Sequence, residues 1–402
     1  MKTLFLSAAG LAVAGPACAQ QVALKPVAEA RLRYEHVDQD GLAQSKASAL
    51  TARVRAGVTA TTGALSATLV GQGTLAIIDH YYDGLHGAAT RPLVADPQNV
   101  ALYIAQVQYR TNVVTLTAGR QKIALDDERF VGNVGFRDNG QTFDALRAEI
   151  TPAKGLKLDV AYVWSVRTIW GIDGIGARQQ AIGGDNVFAN LSYATPIGAL
   201  TGFAYLVDQD ETAVQGYRLS SQTYGARLAG SRPLSKAAKL SYQLSYARQS
   251  DYHRNPNAYA ADYWLADATL DVKGWKLNGG YEILGASKGA ALTSFQTPLG
   301  TNFKFQGWAD KFLTTPPNGI RDLYVGGGYG WKTMGPLSAV SLTGSWHRYR
   351  SDRLSQHYGN EIDFLASAKL KKTMLSVRYA HYDARALATD TDKLWLQADW
   401  SI

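Results

Sequence analysis

Leu50-Thr51-Ala52-Arg53-Val54-Arg55-Ala56-Gly57-Val58-Thr59 alternates between apolar and polar side chains. Successive side chains of a strand point to opposite faces, so Leu50, Ala52, Val54, Ala56 and Val58 share one face. Thr51, Arg53, Arg55, Gly57 and Thr59 share the other. Neither face is ambiguous, because each arginine turned toward lipid at mid-depth costs roughly 2–4 kcal/mol. The pattern is that of a strand with hydrocarbon on one side and water on the other.

The same grammar runs outward from this stretch. In Ala28 to Glu35, Ala, Ala, Leu and Tyr oppose Glu, Arg, Arg and Glu. It recurs through Leu156, Leu158, Val160, Tyr162, Trp164 and Val166, and through Leu240, Tyr242, Leu244 and Tyr246. Leu394, Leu396, Ala398, Trp400 and Ile402 share a face at the end of the chain. Segments of this kind predict eighteen strands, near 27–36, 49–60, 65–76, 100–110, 113–121, 142–151, 156–167, 187–194, 199–207, 220–230, 238–249, 260–271, 275–284, 322–331, 339–349, 358–370, 373–382 and 392–402. Tight connectors such as Thr111-Asn112, Lys273-Gly274 and Lys371-Lys372 alternate with long ones. Outer-membrane barrels have an even strand count, short periplasmic turns and long external loops. The expected fold is therefore all-β, a transmembrane antiparallel barrel of about eighteen strands in the outer membrane of a Gram-negative bacterium.

Composition agrees. Of 402 residues, 46% are apolar and 18% charged, with 41 Lys and Arg against 33 Asp and Glu, a net charge of +8. That charged fraction lies below the roughly 25% of soluble domains while aromatics are plentiful, which argues against disorder. No Pro/Ser-rich linker divides the chain, so one domain is expected. Residues 1–19 read as a secretory signal: Lys2, an apolar run from Leu4 to Val13, Gly15-Pro16, then Ala17-Cys18-Ala19. The barrel would occupy 20–402. Cleavage removes the only cysteine, leaving neither disulfides nor thiolate metal sites, and no cofactor is expected. Beyond residue 19 no apolar run approaches the ~18–20 residues a membrane helix needs.

A soluble β-sandwich also alternates. The export signal, the paired arginines and the aromatic strand ends argue against it. Tyr34, Tyr109, Tyr162, Trp164, Tyr193, Tyr246, Trp264, Tyr281, Trp346, Tyr379 and Trp400 are candidates for the interfacial girdles.

The polar faces predict a basic lumen. Arg31, Arg33, Arg53, Arg55, Arg110, Arg120, Arg147, Arg227 and Arg378 are expected to form an inward ladder, each either engaging substrate or paired with a carboxylate. Asp144, Glu149, Asp159, Glu282 and Glu361 are among those carboxylates. A guanidinium is permanently charged and its planar fork matches a carboxylate, and a focused positive field selects anions. Residues 121–141, with Lys122, Asp126, Asp127, Glu128, Arg129 and Arg137, are expected to fold inward and narrow the pore. In the connector from Gly285 to Arg321, Trp308, Asp310 and Lys311 either contact sugar or pin the loop to the barrel.

Several longer motifs carry a resemblance. Gly119-Arg120-Gln121, Asp127-Glu128-Arg129-Phe130-Val131-Gly132 and Thr142-Phe143-Asp144-Ala145-Leu146-Arg147 form one block. A second runs through Tyr281-Glu282-Ile283-Leu284, Phe295-Gln296-Thr297-Pro298-Leu299-Gly300 and Gln306-Gly307-Trp308-Ala309-Asp310-Lys311-Phe312. With Arg31-Leu32-Arg33-Tyr34-Glu35 and Asn360-Glu361-Ile362-Asp363, they resemble the outer-membrane alginate export porin family. The resemblance implies an eighteen-stranded barrel, passive export of a uronate polysaccharide such as alginate, outer-membrane lipid as surroundings, and periplasmic export or uptake partners.

Catalytic patterns are weak. Gly285-Ala286-Ser287-Lys288-Gly289 fits G-x-S-x-G, but no helical periodicity follows it, as a nucleophile elbow requires. The seven histidines show no metal-ligand spacing. Export from the cell argues against nucleic acid as a partner for the basic charge. The leading reading is an anion-selective channel for an acidic polysaccharide, not an enzyme. The alternative is an uptake porin for small anionic or oligosaccharide nutrients; an outer-membrane hydrolase is the third.

Overall fold

A computed structural model describes residues 21–212 and 215–402; the expected signal segment lies outside them. The strands are β1 Ala23–Gln39, β2 Lys46–Thr62, β3 Leu65–His80, β4 Asn99–Arg110, β5 Val114–Gln121, β6 Thr142–Ala153, β7 Leu156–Arg167, β8 Ala181–Thr195 and β9 Gly198–Val207. They continue as β10 Ser221–Pro233, β11 Ala238–Asp251, β12 Ala260–Val272, β13 Trp275–Leu284, β14 Ile320–Met334, β15 Leu337–Arg350, β16 His357–Leu370, β17 Thr373–Ala384 and β18 Thr391–Ser401. Each is antiparallel to its neighbours, and β1 pairs with both β2 and β18, closing the sheet into an eighteen-stranded barrel. Closure leaves no edge, which is the condition for placing strands in hydrocarbon.

Every expected strand is present. Several run beyond the expected ends toward the long loops; β8, for instance, begins at Ala181 rather than 187. Above the membrane both faces meet water or loop, so pairing continues where alternation no longer marks it. In β8 a register shift opposite Val163 and Ser165 breaks the pattern further.

The outward face is a continuous apolar belt. Val54, Leu69, Val107, Leu146, Leu191, Leu244, Leu277, Leu342 and Phe364 are all exposed. Tyr109, Tyr162, Trp164, Tyr193, Tyr246, Trp264, Tyr281, Trp346, Tyr379 and Trp400 are exposed among them, as girdle residues must be. A closed barrel with this belt is an outer-membrane protein. Long connectors leave one end and tight turns the other, which sets the extracellular and periplasmic sides.

Candidate substrate channel

Three extracellular connectors set the bore: 81–98 between β3 and β4, 122–141 between β5 and β6, and 285–319 between β13 and β14. The second and third fold inward because they carry apolar side chains that must be covered. Ile123, Leu125 and Val131 join Phe295, Leu299 and Phe312 in a buried cluster against the wall residues Phe143, Phe188, Phe203, Tyr263 and Tyr349. Backbone bonds then knit the two loops together: Gly132 N donates to Leu299 O at 2.9 Å and Thr301 N to Glu128 O at 2.9 Å. The Gln141 side-chain amide donates to Gly132 O and Leu299 O at 2.8 and 3.0 Å. The first connector is tied in through Asp96, whose Oδ1 accepts from Asp138 N at 2.6 Å.

The stretch 133–137 separates two cavities. Val134 and Arg137 help line one of about 550 Å³ on the extracellular side, with Trp170, Phe303, Asp310, Lys311 and Lys393. Asn133 and Gly135 help line one of about 460 Å³ on the periplasmic side. Arg31, Arg53, Arg55, Lys122, Lys369 and Lys372 surround that lower cavity against only two carboxylates, Glu29 and Asp399. Strand alternation puts Arg31 and Arg33 on β1 opposite Leu32, and Arg53 and Arg55 on β2 opposite Val54, so four guanidiniums project from adjacent strands into the lumen. A third cavity of about 340 Å³ is lined by Asp127, Asp267, Glu282, Asp322 and Asp363 with Lys304, and holds His347 Nδ1 at 2.9 Å from Asp322.

The inward arginines differ in how far protein groups already occupy them. Arg31 pairs with Asp399 at 2.7 Å and Asp138 at 3.5 Å, and donates to Phe136 O at 2.7 Å. Arg33 pairs with Asp96 at 3.1 Å and also donates to Phe136 O. Arg55 donates to Gln72 at 2.6 Å, pairs with Glu29 at 3.3 Å and stacks over Tyr103 at 3.8 Å. Arg147 holds Asp159 in a two-point contact, at 2.8 and 2.6 Å, with Glu149 at 3.5 Å. Arg227 sits between Asp126 and Asp127 of the in-folded loop, at 3.3 and 3.6 Å.

Two arginines are less occupied. Arg53 has Glu29 at 3.7 Å, and its Nε and Nη1 are buried without a hydrogen-bond partner. Arg378 on β17 has no hydrogen bond or ion pair among the described residues. Its guanidinium lies over Phe136, Phe303 and Trp308, at 5.2, 5.7 and 5.2 Å from the ring centroids, a set of cation–π contacts that leaves its N–H groups free to bind an anion.

Three expectations are corrected. Arg120 and Asp144 are bonded to each other at 2.8 and 3.0 Å, but by alternation Arg120 shares the face of the exposed Leu116, opposite the buried Thr117 and Gln121. The pair, with Arg167 Nε at 3.2 Å from Asp144, lies on the outer surface near the extracellular rim. Interfacial headgroups tolerate charge there, so the lipid-cost rule for mid-depth arginines does not apply. Arg110 ends β4 beside a periplasmic turn and is exposed at the rim. Arg129 is not a free pore cation: its side chain is 2% exposed and its Nε lies 2.7 Å from Glu282.

In the longest connector, Trp308 stacks with Phe303 at 6.3 Å while presenting a face to Arg378. Glu361 accepts from Ala309 N at 2.7 Å. Gly307, at φ +76°, lets the loop come this close: a Cβ there would stand 2.3 Å from the Glu361 carboxylate. Asp310 binds Arg137 at 2.7 Å and Lys393 at 3.1 Å. Burial pushes the Asp310 carboxyl up, but Lys393 and Arg137 outweigh it and hold it below the usual range. Asp138 is likewise held low: burial raises it, but Arg33 and Arg31 prevail. Burial and then the neighbouring Lys393 bring the Lys311 ammonium down to about 8.

Phe136, Phe303, Asp96, Asp138 and Lys393, which complete the site, were not legible in advance. They lie in loops or at a strand end, where no periodicity signals an inward orientation.

No protein-family model and no curated protein sequence matches the chain. Solved structures do. The crystal structure of Pseudomonas aeruginosa OpdL is 17% identical, over 94% of this chain and 98% of that one, at a TM-score of 0.69. P. aeruginosa OccK9 (OpdG) is 15% identical over 94% and 98%, at 0.72. P. aeruginosa OpdK, solved with vanillate, is 12% identical over 94% and 98%, at 0.67. The shared fold is an eighteen-stranded outer-membrane barrel. The resemblance to the alginate export porin family is thereby corrected: the fold likeness is to the Opd and Occ proteins. The quoted motifs map largely onto the in-folded loops and their wall contacts.

Proposed function

We propose that the chain is a diffusion porin for small organic anions, carboxylates above all, entering the cell. The observation that carries this reading is the basic lining of the 460 Å³ cavity, where Arg53 keeps N–H groups without partners, together with the open guanidinium of Arg378. Carboxylates are stronger acceptors for arginine than the peptide oxygens of Phe136 and Arg137 that now engage Arg31. A carboxylate passing 133–137 therefore has successive guanidiniums to exchange between, and sharing each with water or peptide keeps binding weak enough for release. Two further observations support small solutes. The knitted loops leave cavities of about 550 and 460 Å³, the scale of a one- or two-ring molecule, and the similar barrel OpdK was solved with vanillate, an aromatic monocarboxylate.

The test is ion selectivity and solute blockade in planar bilayers. The expected result is an anion-selective reversal potential and concentration-dependent blockade by benzoate-type carboxylates, with little effect of neutral sugars of equal size. A cation-selective channel indifferent to carboxylates would overturn the reading.

A further inference from the structure

The outward rim holds a second basic site that transport does not use. On β14 and β15, Arg321 stands directly opposite Arg350, and Leu323 opposite Arg348. All four share the lipid-facing surface: Leu323 and Trp346 are exposed on that face, while Ile320, Asp322 and Tyr349 on the other are buried. Three guanidiniums thus cluster at the extracellular ends of two adjacent strands, beside Leu323 and immediately above Trp346 and Ile362 of the apolar belt.

Like charges directly opposite on a sheet repel. Asp352 answers Arg321 at 2.9 Å, but Arg348 and Arg350 are exposed and have no hydrogen bond or ion pair among the described residues. Their cross-strand partners on β16 are Asn360 and His357, which contact each other at 3.2 Å and bring no carboxylate. Other strand-end cations on the rim are neutralised by the protein. Arg120 and Arg167 share Asp144, Arg248 has Asp262 at 3.2 Å, and Arg385 has Asp383 at 2.9 Å.

We propose that Arg348 and Arg350, with Arg321, bind the phosphate groups of a phosphorylated glycolipid of the outer leaflet, of the lipid A type. The site lies at headgroup height, one residue pair above the hydrocarbon belt. Its paired guanidinium forks match phosphate oxygens, and the lipid's acyl chains would cover the Leu323, Trp346 and Ile362 surface beside and below. The bound phosphate supplies the negative charge that relieves the Arg321/Arg350 repulsion.

The test uses the full barrel in detergent, titrated with diphosphoryl lipid A, phosphatidylglycerol and inorganic phosphate, as wild type, R348Q/R350Q and R385Q. A headgroup contact contributes about a fivefold gain per arginine, so the double variant is expected to bind lipid A at least about tenfold more weakly. R385Q should bind like wild type, and lipid A should bind more tightly than the other two probes. Unchanged channel conductance and heat-modifiable migration confirm that both variants are folded. Weakening of less than tenfold, equal weakening in R385Q, or phosphatidylglycerol binding as tightly as lipid A would each overturn the proposal.

Discussion

Arg129, carried by the loop between β5 and β6, spans the lumen to donate from Nε to Glu282 Oε1 on β13 at 2.7 Å. Both side chains are 2% exposed. Tyr263 and Gln306 complete the carboxylate's shell at 2.9 and 2.8 Å. One ion pair thereby joins a wall strand to both in-folded loops, since Gln306 belongs to the other.

Replacing Arg129 by Ala should loosen that joint. Removing one partner of a buried pair leaves an uncompensated charge and costs about 3–5 kcal/mol, here felt by the loops because the barrel ladder is untouched. Arg129→Ala is expected to raise single-channel conductance with more frequent open-channel noise, while the folded band on unheated gels persists. Wild-type conductance would contradict this.

Arg378 and Arg53 should dominate anion capture, being the inward arginines that protein groups occupy least. Arg378→Gln and Arg53→Gln are each expected to weaken carboxylate blockade several-fold, by about 1 kcal/mol, the net worth of a single hydrogen bond, and together to move the reversal potential toward zero. Arg147→Gln, whose fork is already filled by Asp159, should change blockade less than either.

Arg120→Gln should leave selectivity unchanged, because the Arg120–Asp144 pair lies on the outer surface. A shift in reversal potential as large as that of Arg378→Gln would mean that the guanidinium reaches the lumen.

Lys311 gives the extracellular mouth a pH response. Its ammonium, brought down to about 8 by burial and Lys393, is charged at pH 7 and neutral by pH 9. Deprotonation removes a positive charge, so anion selectivity is expected to fall as pH rises across that interval. Lys311→Met should lack this step and show the lower selectivity throughout, as reversal potentials measured at both pH values would report.

The alternation around Arg53 and Arg55 determined the barrel by itself. Period two with arginine on one face and Val and Leu on the other has one economical solution, lipid outside and water inside, and connector lengths oriented it. The inward course of 121–141 was expected from its mixed charge, whereas the cover that Phe130, Val131 and Phe295 find against the wall came only from the structure. What only the tertiary structure decided is which charges remain available. Arg120 shares the parity of the outward Leu116, and only the structure shows that Asp144, itself bonded by Arg167, neutralises it there. Arg129 and Arg378 are the same residue type, but one is locked to a carboxylate 153 positions away and the other rests on three rings. Period two assigns a face to each side chain; whether a charge on that face is free depends on partners brought in by distant loops, and those distances are set by barrel closure and loop packing.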